Sequence, residues 1–381
     1  PFTSRSRHTR FGFKSRGLGD VYKRQLLHRV TSITDQGARQ VETLTIDPAV
    51  YEPHEAPQRV QDVVPPPVVG AADAVFLDLP LIEDGGGETD GYVALHQAPW
   101  PGPIAIYRSP GEDGFIQAAL ATASATIGML LDPLAAAPHG RIDYATRVRV
   151  RLASGSLGSQ SRLAMLDGGN VLAIKRDDGS WEICQFETAD LLAPLTYLLA
   201  GFLRGQRGTE DWRASGTEIA AVGQPVVLLD EALTRVAVSE GVIGRPLNWR
   251  WGAAARDLGH ASFARTTHPF QGIARRPFAP VHVRGRRRAG AVEISWQRRT
   301  RTGGDTWEQA DVALGEQTEA YEVDILKDGT VVRTLRSGRP AVIYSAAQQR
   351  VDLGAPRAAI ACRVHQMSAT WGRGKPRSAV V

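Results

Sequence analysis

GAVEISWQRRTRTGGDTW, residues 290–307, admits three readings. Tryptophan beside the carboxylates Glu293, Asp305 and, one residue on, Glu308 is the composition of a sugar-binding or sugar-cleaving site. Arginine beside tryptophan is the composition of a nucleic-acid surface. Val292, Ile294 and Trp296 also alternate with polar residues, which is the period of a strand buried on one face. The alternation decides. It puts Trp296 on the apolar inner face, makes Thr302-Gly303-Gly304-Asp305 a loop, and leaves the arginines on an outer face.

The same period continues on either side. Pro277 and Pro280 lead into VHVRG; VEISW, YEVDIL, TVVRTLR, PAVIYSA and two closing runs ending at Val381 follow. Seven short strands separated by polar turns are the signature of an immunoglobulin-like sandwich. The proline-rich entry, the tryptophan in the second strand and the late GRGKP loop resemble a fibronectin type III module, placed at residues 273–381.

Residues 74–272 read as one or more further β-rich domains. AVFLDLPLI, GYVALHQA and GPIAIYRS are strand runs, and the Ala/Thr-rich segment 115–131 is read as strand in their company. In RIDYATRVRVRLA the period places Tyr144, Val148, Val150 and Leu152 on one face, with arginines opposite. Residues 170–193 form a hairpin signal about Arg176-Asp177-Asp178-Gly179. LLAPLTYLLAGFL, residues 191–203, is too short for a membrane span; it and the Gly-rich YLLAGFLRGQRGTED are expected as a short buried helix, turn or loop. PLNWRWGAA is a strand with Trp249 and Trp251 on one face. Residues 52–73 are a stiff proline-rich linker, and 26–51 a hairpin about Gly37 that closes a truncated upstream domain. The expected fold class is all-β: barrel or sandwich domains followed by the fibronectin-like sandwich.

The net charge of +5 is local. Residues 1–25 carry seven Lys/Arg against Asp20 alone, and the remaining 38 basic and 39 acidic residues balance. That head has no strand or helix period and resembles a translated sequencing adapter, so it is set aside from the fold as disordered. The neutral body removes the global electrostatic case for nucleic acid.

Catalytic signatures are missing. No nucleophile elbow, zinc-protease, P-loop or dinucleotide pattern occurs, and no two of the nine histidines stand three or four residues apart. Cys184 and Cys362 stand alone. The adjacent acids Glu83-Asp84, Glu112-Asp113, Asp177-Asp178 and Asp230-Glu231 would point to opposite faces of a strand or serve turns, rather than face each other across a cleft. No catalytic, cofactor or metal residue is assigned. Arg286, Arg287, Arg288, Arg298, Arg299 and Arg301 form the strongest local charge and are the candidate interface, an outward face offered to a protein neighbour.

Six phrases carry a resemblance: WPGPIAIYRS, FLRGQRGTED, PVVLLDEAL, PVHVRG, ISWQRRTRTGGDTWE and VALGEQTEAYEVDI. In that order they are similar to the C-terminal half of the large tail-tip, host-specificity protein of gene transfer agents and related siphophages. The resemblance implies a homotrimeric baseplate hub at the end of a virion's tail tube, assembled in the bacterial cytoplasm beside other tail proteins and touching a host-surface glycan or receptor. It implies no enzyme activity here, because the family's glycoside-hydrolase-like barrel precedes the matching region. The alternative class is a cell-surface carbohydrate-active or glycan-binding protein with a fibronectin-like appendage. No carboxylate stands in a supporting motif for it.

Overall fold

The computed structural model of the chain describes residues 27–51, 70–82, 87–304 and 312–381. The basic head, proline-rich residues 52–69, the Glu83-Asp84 pair, and Asp305, Trp307 and Glu308 lie outside the described residues. The chain divides into two compact units, Pro1–Pro66 and Pro67–Val381, described separately.

The first unit contributes the expected hairpin, β1 (Leu27–Asp35) and β2 (Arg39–Ile46). Gly37 takes a φ of 80° in its turn, a conformation open to a residue without Cβ. A bulge between Val30 and Ser32 shifts the register.

The second unit begins with β3 (Asp73–Leu77), β4 (Gly91–His96), β5 (Ile104–Ser109) and β6 (Ile116–Ala121). Then come β7 (Ile127–Leu130), β8 (Leu134–Ala135), β9 (Ile142–Leu152), the short helix α1 (Arg162–Leu166), β10 (Val171–Lys175), β11 (Trp181–Ala193), β12 (Thr196–Gln206), β13 (Glu218–Ala220) and β14 (Pro225–Leu228). The chain returns through β15 (Thr234–Val236), β16 (Leu247–Ala253) and β17 (Ala264–His268).

Pairing shows why this order matters. β15 joins β4 and β3 in one sheet, and β17-β16-β5-β6 form another. These two sheets make a sandwich whose core holds Val93, Leu95, Ile104, Ile106, Trp249, Trp251 and Phe270. Between its two halves is inserted a closed antiparallel barrel, β10-β11-β12-β9-β7-β14, filled by Val148, Val150, Leu172, Phe186, Leu199 and Phe202. β4 is buried at every position. Val93 and Leu95 face the sandwich core, while Tyr92 and Ala94 face a second cluster with Ile127, Ala173, Trp181 and Val227 of the barrel wall. A strand buried on both faces loses the alternation of a half-exposed one.

Three expectations change. Residues 191–203 are neither helix nor loop: they end β11, turn at Leu195 with φ 57°, and run on as β12. Gly201, at φ 69° opposite a bulge in β9, breaks the period of β12, and Leu199 and Phe202 both enter the core. Their spacing of three imitates a helix. Tyr144 leaves the face of Val148: β9 bulges where three of its residues, Tyr144 to Thr146, stand opposite Gly201 alone, and Tyr144 is 53% exposed. Asp143 holds that bulge by accepting from the backbone amides of Ala145 (2.9 Å) and Thr146 (3.2 Å). Finally, residues 70–73 belong to the sandwich and not to a linker. Ala72 is buried and its carbonyl accepts the Trp251 indole N–H at 2.7 Å, while Asp73 starts β3.

His268 ends β17 among aromatic rings, 4.8 Å from Phe270 and 5.1 Å from Phe76. Burial, helped by the charge of Lys175, pushes its imidazole down from 6.5 to about 4. Between those values the unfolded chain binds a proton that the folded chain refuses, so stability rises with pH across this window. The urea midpoint is expected to fall as pH drops from 6.5 to 4, and His268→Gln to remove part of that slope.

The C-terminal sandwich consists of β18 (Val281–Arg288), β19 (Ala291–Gln297), β20 (Tyr321–Lys327), β21 (Thr330–Ser337), β22 (Ala341–Tyr344), β23 (Ala361–Ser368), β24 (Gly372–Arg373) and β25 (Arg377–Val380). One sheet is β18-β19-β22; the other is β21-β20-β23, with β24 and β25 both paired to β23. Val292, Ile294 and Trp296 are buried between them against Tyr321, Val323 and Val364, as the alternation required. An unanticipated helix, α2 (Ala346–Leu353), links β22 to β23. A capping box starts it, Ser345 accepting from the Gln348 amide and the Gln348 side chain accepting from the Ser345 amide, and Gly354 at φ 85° ends it.

Candidate functional site

The six arginines named from the sequence go to two places. Arg286, Arg287 and Arg288 lie exposed on β18, an edge strand; Arg287 reaches the Ala358 carbonyl at 2.6 Å. Arg298, Arg299 and Arg301 leave the solvated face. Arg298 is half-buried, donates to the Val312 carbonyl at 2.8 Å and pairs with Glu319 at 3.6 Å. Arg299 turns toward the barrel, pairing with Glu210 at 2.5 Å and lying over the Phe278 ring.

Arg301 corrects the expectation of an outward side chain most fully, being 6% exposed. Its Nε donates to Glu316 at 2.8 Å, and one Nη donates to both Glu88 and the Ala274 carbonyl at 3.0 Å. Glu88 precedes β4 in the split sandwich, so one guanidinium ties the C-terminal sandwich to that domain. An arginine suits this position because its planar fork serves several acceptors in fixed directions. Arg301→Met leaves the buried Glu316 carboxylate unpaired. It is expected to cost about 2–3 kcal/mol, below the usual range for a buried pair because Glu88 can turn to water. Urea unfolding of variant and parent gives the difference.

A second contact ties the C-terminal sandwich to the barrel. The loop before β25 brings Lys375 to the carbonyls of Gly208 (3.5 Å) and Glu210, and Arg377 stacks 3.5 Å over the Trp212 ring. Burial and then the charge of Arg176 press the Lys375 ammonium down to about 8. Gly208 has φ 76°, and a Cβ there would stand 2.2 Å from the Phe278 ring, so the turn needs glycine for both conformation and space.

Behind this turn the barrel holds buried charges. Arg204 donates to Glu182 at 2.7 and 2.9 Å, and the Gly205 amide donates to the same carboxylate at 3.1 Å. Arg176 adds a contact at 3.3 Å. Burial alone would raise the Glu182 carboxyl, but the Arg204 and Arg176 guanidiniums overcome it and hold it below the usual range. Asp211 stands nearby, held at about 2 because Arg213 and Arg176 outweigh its burial. These carboxylates are neutralised by arginine and are not poised to exchange protons.

Among the adjacent acids, Asp178 and Asp230 build turns, while Asp177 ties its turn to a distant segment. Asp178 accepts from the amide and hydroxyl of Ser180, Asp177 from the Ala221 amide, and Asp230 from the Ala232 amide. Two shallow hollows, about 390 and 510 Å³, share Glu231, Leu233 and Arg235 beside β15. Among the described residues no three His, Cys, Asp or Glu side chains gather as a metal site, and Cys184 and Cys362 are buried free thiols.

Comparison with known proteins matches one part of this architecture. The family model described as Rcc01698-like, C-terminal, covers residues 125–227. That span runs from just before β7 into β14 and so takes in nearly the whole inserted barrel. No curated protein matches the chain. Among solved structures it is similar to the central fibronectin-III array of RIM-binding protein, at 10% identity over 80% of this chain and 98% of that one. The TM-score is 0.19, so that likeness carries no argument.

Proposed function

We propose that this chain is a structural part of a phage-like tail tip or baseplate hub, of the gene transfer agent type, that joins neighbouring subunits and presents a surface to the host cell. The observation that supports it is where the resembling phrases lie. FLRGQRGTED holds Arg204, Glu210 and Asp211; ISWQRRTRTGGDTWE holds Arg299 and Arg301; VALGEQTEAYEVDI holds Glu316. Glu210, Arg299 and Arg301 build joints between the β-domains of the second unit, Glu316 holds Arg301 in place, and Arg204 and Asp211 brace the barrel turn behind them. Tail hubs transmit force, so segments that fix one domain against the next are those such a family needs. Rotational closure lets each subunit bury one patch against a different patch of the next.

No reaction is assigned to the chain under this proposal. Light scattering of the purified protein tests it: a closed trimer is expected. A stable monomer that hydrolyses glycans would overturn the reading in favour of a carbohydrate-active protein.

A further inference from the structure

The outer face of sheet β18-β19-β22 has a charge pattern that the folding of the domain does not use. Arg298, Arg299, Arg301, Arg333, Arg336 and Arg373 are all in ion pairs. Arg284, Arg286 and Arg288 have no such partner among the described residues, and all three are exposed. Their register partners across β19 are Ser295, Glu293 and Ala291. Gly285 and Arg287 alternate with them toward Ile294 and Val292. Three guanidiniums therefore stand in a column along one edge strand, about 7 Å apart from the strand rise. Beside the column the sheet is low, with Ser295 opposite Ala341 on β22. Glu293 is the single acid of the row, flanked by Arg286 and Ile343.

We infer that this face binds an extended anionic polysaccharide, its acidic groups laid along the Arg284–Arg286–Arg288 column and its sugar rings on the low floor beside it. An unpaired linear array of arginines complements a linear array of carboxylates or phosphates better than a compact ligand, and each guanidinium offers a planar fork to an oxyanion. Nucleic acid fits less well. A single strand needs aromatic platforms for its bases, and the row of Arg, Ser, Ala, Glu and Ile provides none. The inference gives chemistry to the host-contact part of the function proposed above, and rests on it for choosing a bacterial surface polymer as the anion. The two fail separately: assembly is read from mass, and this from polymer binding.

The test is binding of the full chain to immobilised polygalacturonate, with dextran and single-stranded DNA as comparisons, over a salt series. Binding to polygalacturonate that weakens with salt is expected, with little binding to dextran. The triple variant Arg284→Gln, Arg286→Gln, Arg288→Gln should lose at least about tenfold in affinity and flatten the salt dependence. Glu293→Gln, which removes the one opposing charge, should tighten binding. Arg287→Gln, on the other side of the strand, should change it little. No binding to polygalacturonate, equal binding by the triple variant, or stronger binding to DNA would each overturn the inference.

Discussion

Glu182→Ala is expected to lower the unfolding free energy by about 3–5 kcal/mol, because it strands the buried Arg204 guanidinium and takes from Arg176 the nearer of its two carboxylates. Arg204 is 1% exposed and Arg176 3%, so neither can turn to water without opening the barrel. The carboxylate also accepts from the Gly205 amide at the bend where β12 ends, so its loss unties the turn that carries Gly208 and Glu210 to the C-terminal sandwich. Glu182→Gln keeps the shape and one acceptor and should cost less. Replacing Glu182 and Arg204 together by Leu and Met should cost less than Glu182→Ala, since most of the penalty is the unpaired charge and not the missing bond. The pH dependence follows from the depressed carboxyl. Its contribution is complete above the ordinary value of 4.5 and is lost as pH falls through the lower folded value, so the variants should show a flatter acid limb. Denaturant unfolding at pH 7 and across the acid range measures both effects. A Glu182→Ala protein as stable as the parent would mean that water reaches these arginines.

Which parts of this fold could be read in advance follows from the range of the interactions that make them. Val292, Ile294 and Trp296 were legible because a strand with one buried face writes its period into neighbouring residues. β4 was legible as a strand but not as a shared wall, since burial on both faces leaves a plain apolar run. β12 was misread because its period breaks at Gly201, opposite the bulge in β9, and its core residues Leu199 and Phe202 stand three apart. The helix α2 had a local signal, serine at 345 and glutamine at 348, which the surrounding strand pattern obscured. The insertion of the barrel could not be read at all. It depends on β15 returning to β4, Thr234 to Val93, across the whole intervening domain.

The candidate site divides the same way. Arg286 and Arg288 share a face by their own strand's alternation, a local property, and are exposed because the end of this edge strand is exposed on both faces, Arg287 included. Arg301 is buried because Glu88 and Glu316 meet it, one from another domain, and charge composition around residue 301 contains no sign of either. Lys375 of the GRGKP loop caps the carbonyls of the barrel turn, and nothing near residue 375 in the sequence announces those partners.

Trp296→Ala is expected to destabilise the C-terminal sandwich by about 3–5 kcal/mol, the cost of removing a large buried aromatic and leaving its volume unfilled. The indole is 5% exposed, its ring centre lies 5.0 Å from that of Tyr321 in an edge-on arrangement, and Ile294 and Val364 belong to the same core. Trp296→Phe keeps an aromatic edge for Tyr321 and should cost less. Because Arg299 and Arg301 follow on the same segment, loosening this strand should also weaken the grip on Glu210 and Glu88, so hydrogen exchange should rise in those partner segments as well as in β19 and β20. The contrary result is equally readable. If Trp296→Ala left unfolding unchanged and abolished binding to a sugar, the tryptophan would be a ligand platform, and the pairing of tryptophan with carboxylate in residues 290–308 would mark a site after all. Burial between two sheets argues for the first outcome: a stacking platform must offer one face to its ligand, and both faces of this ring are packed.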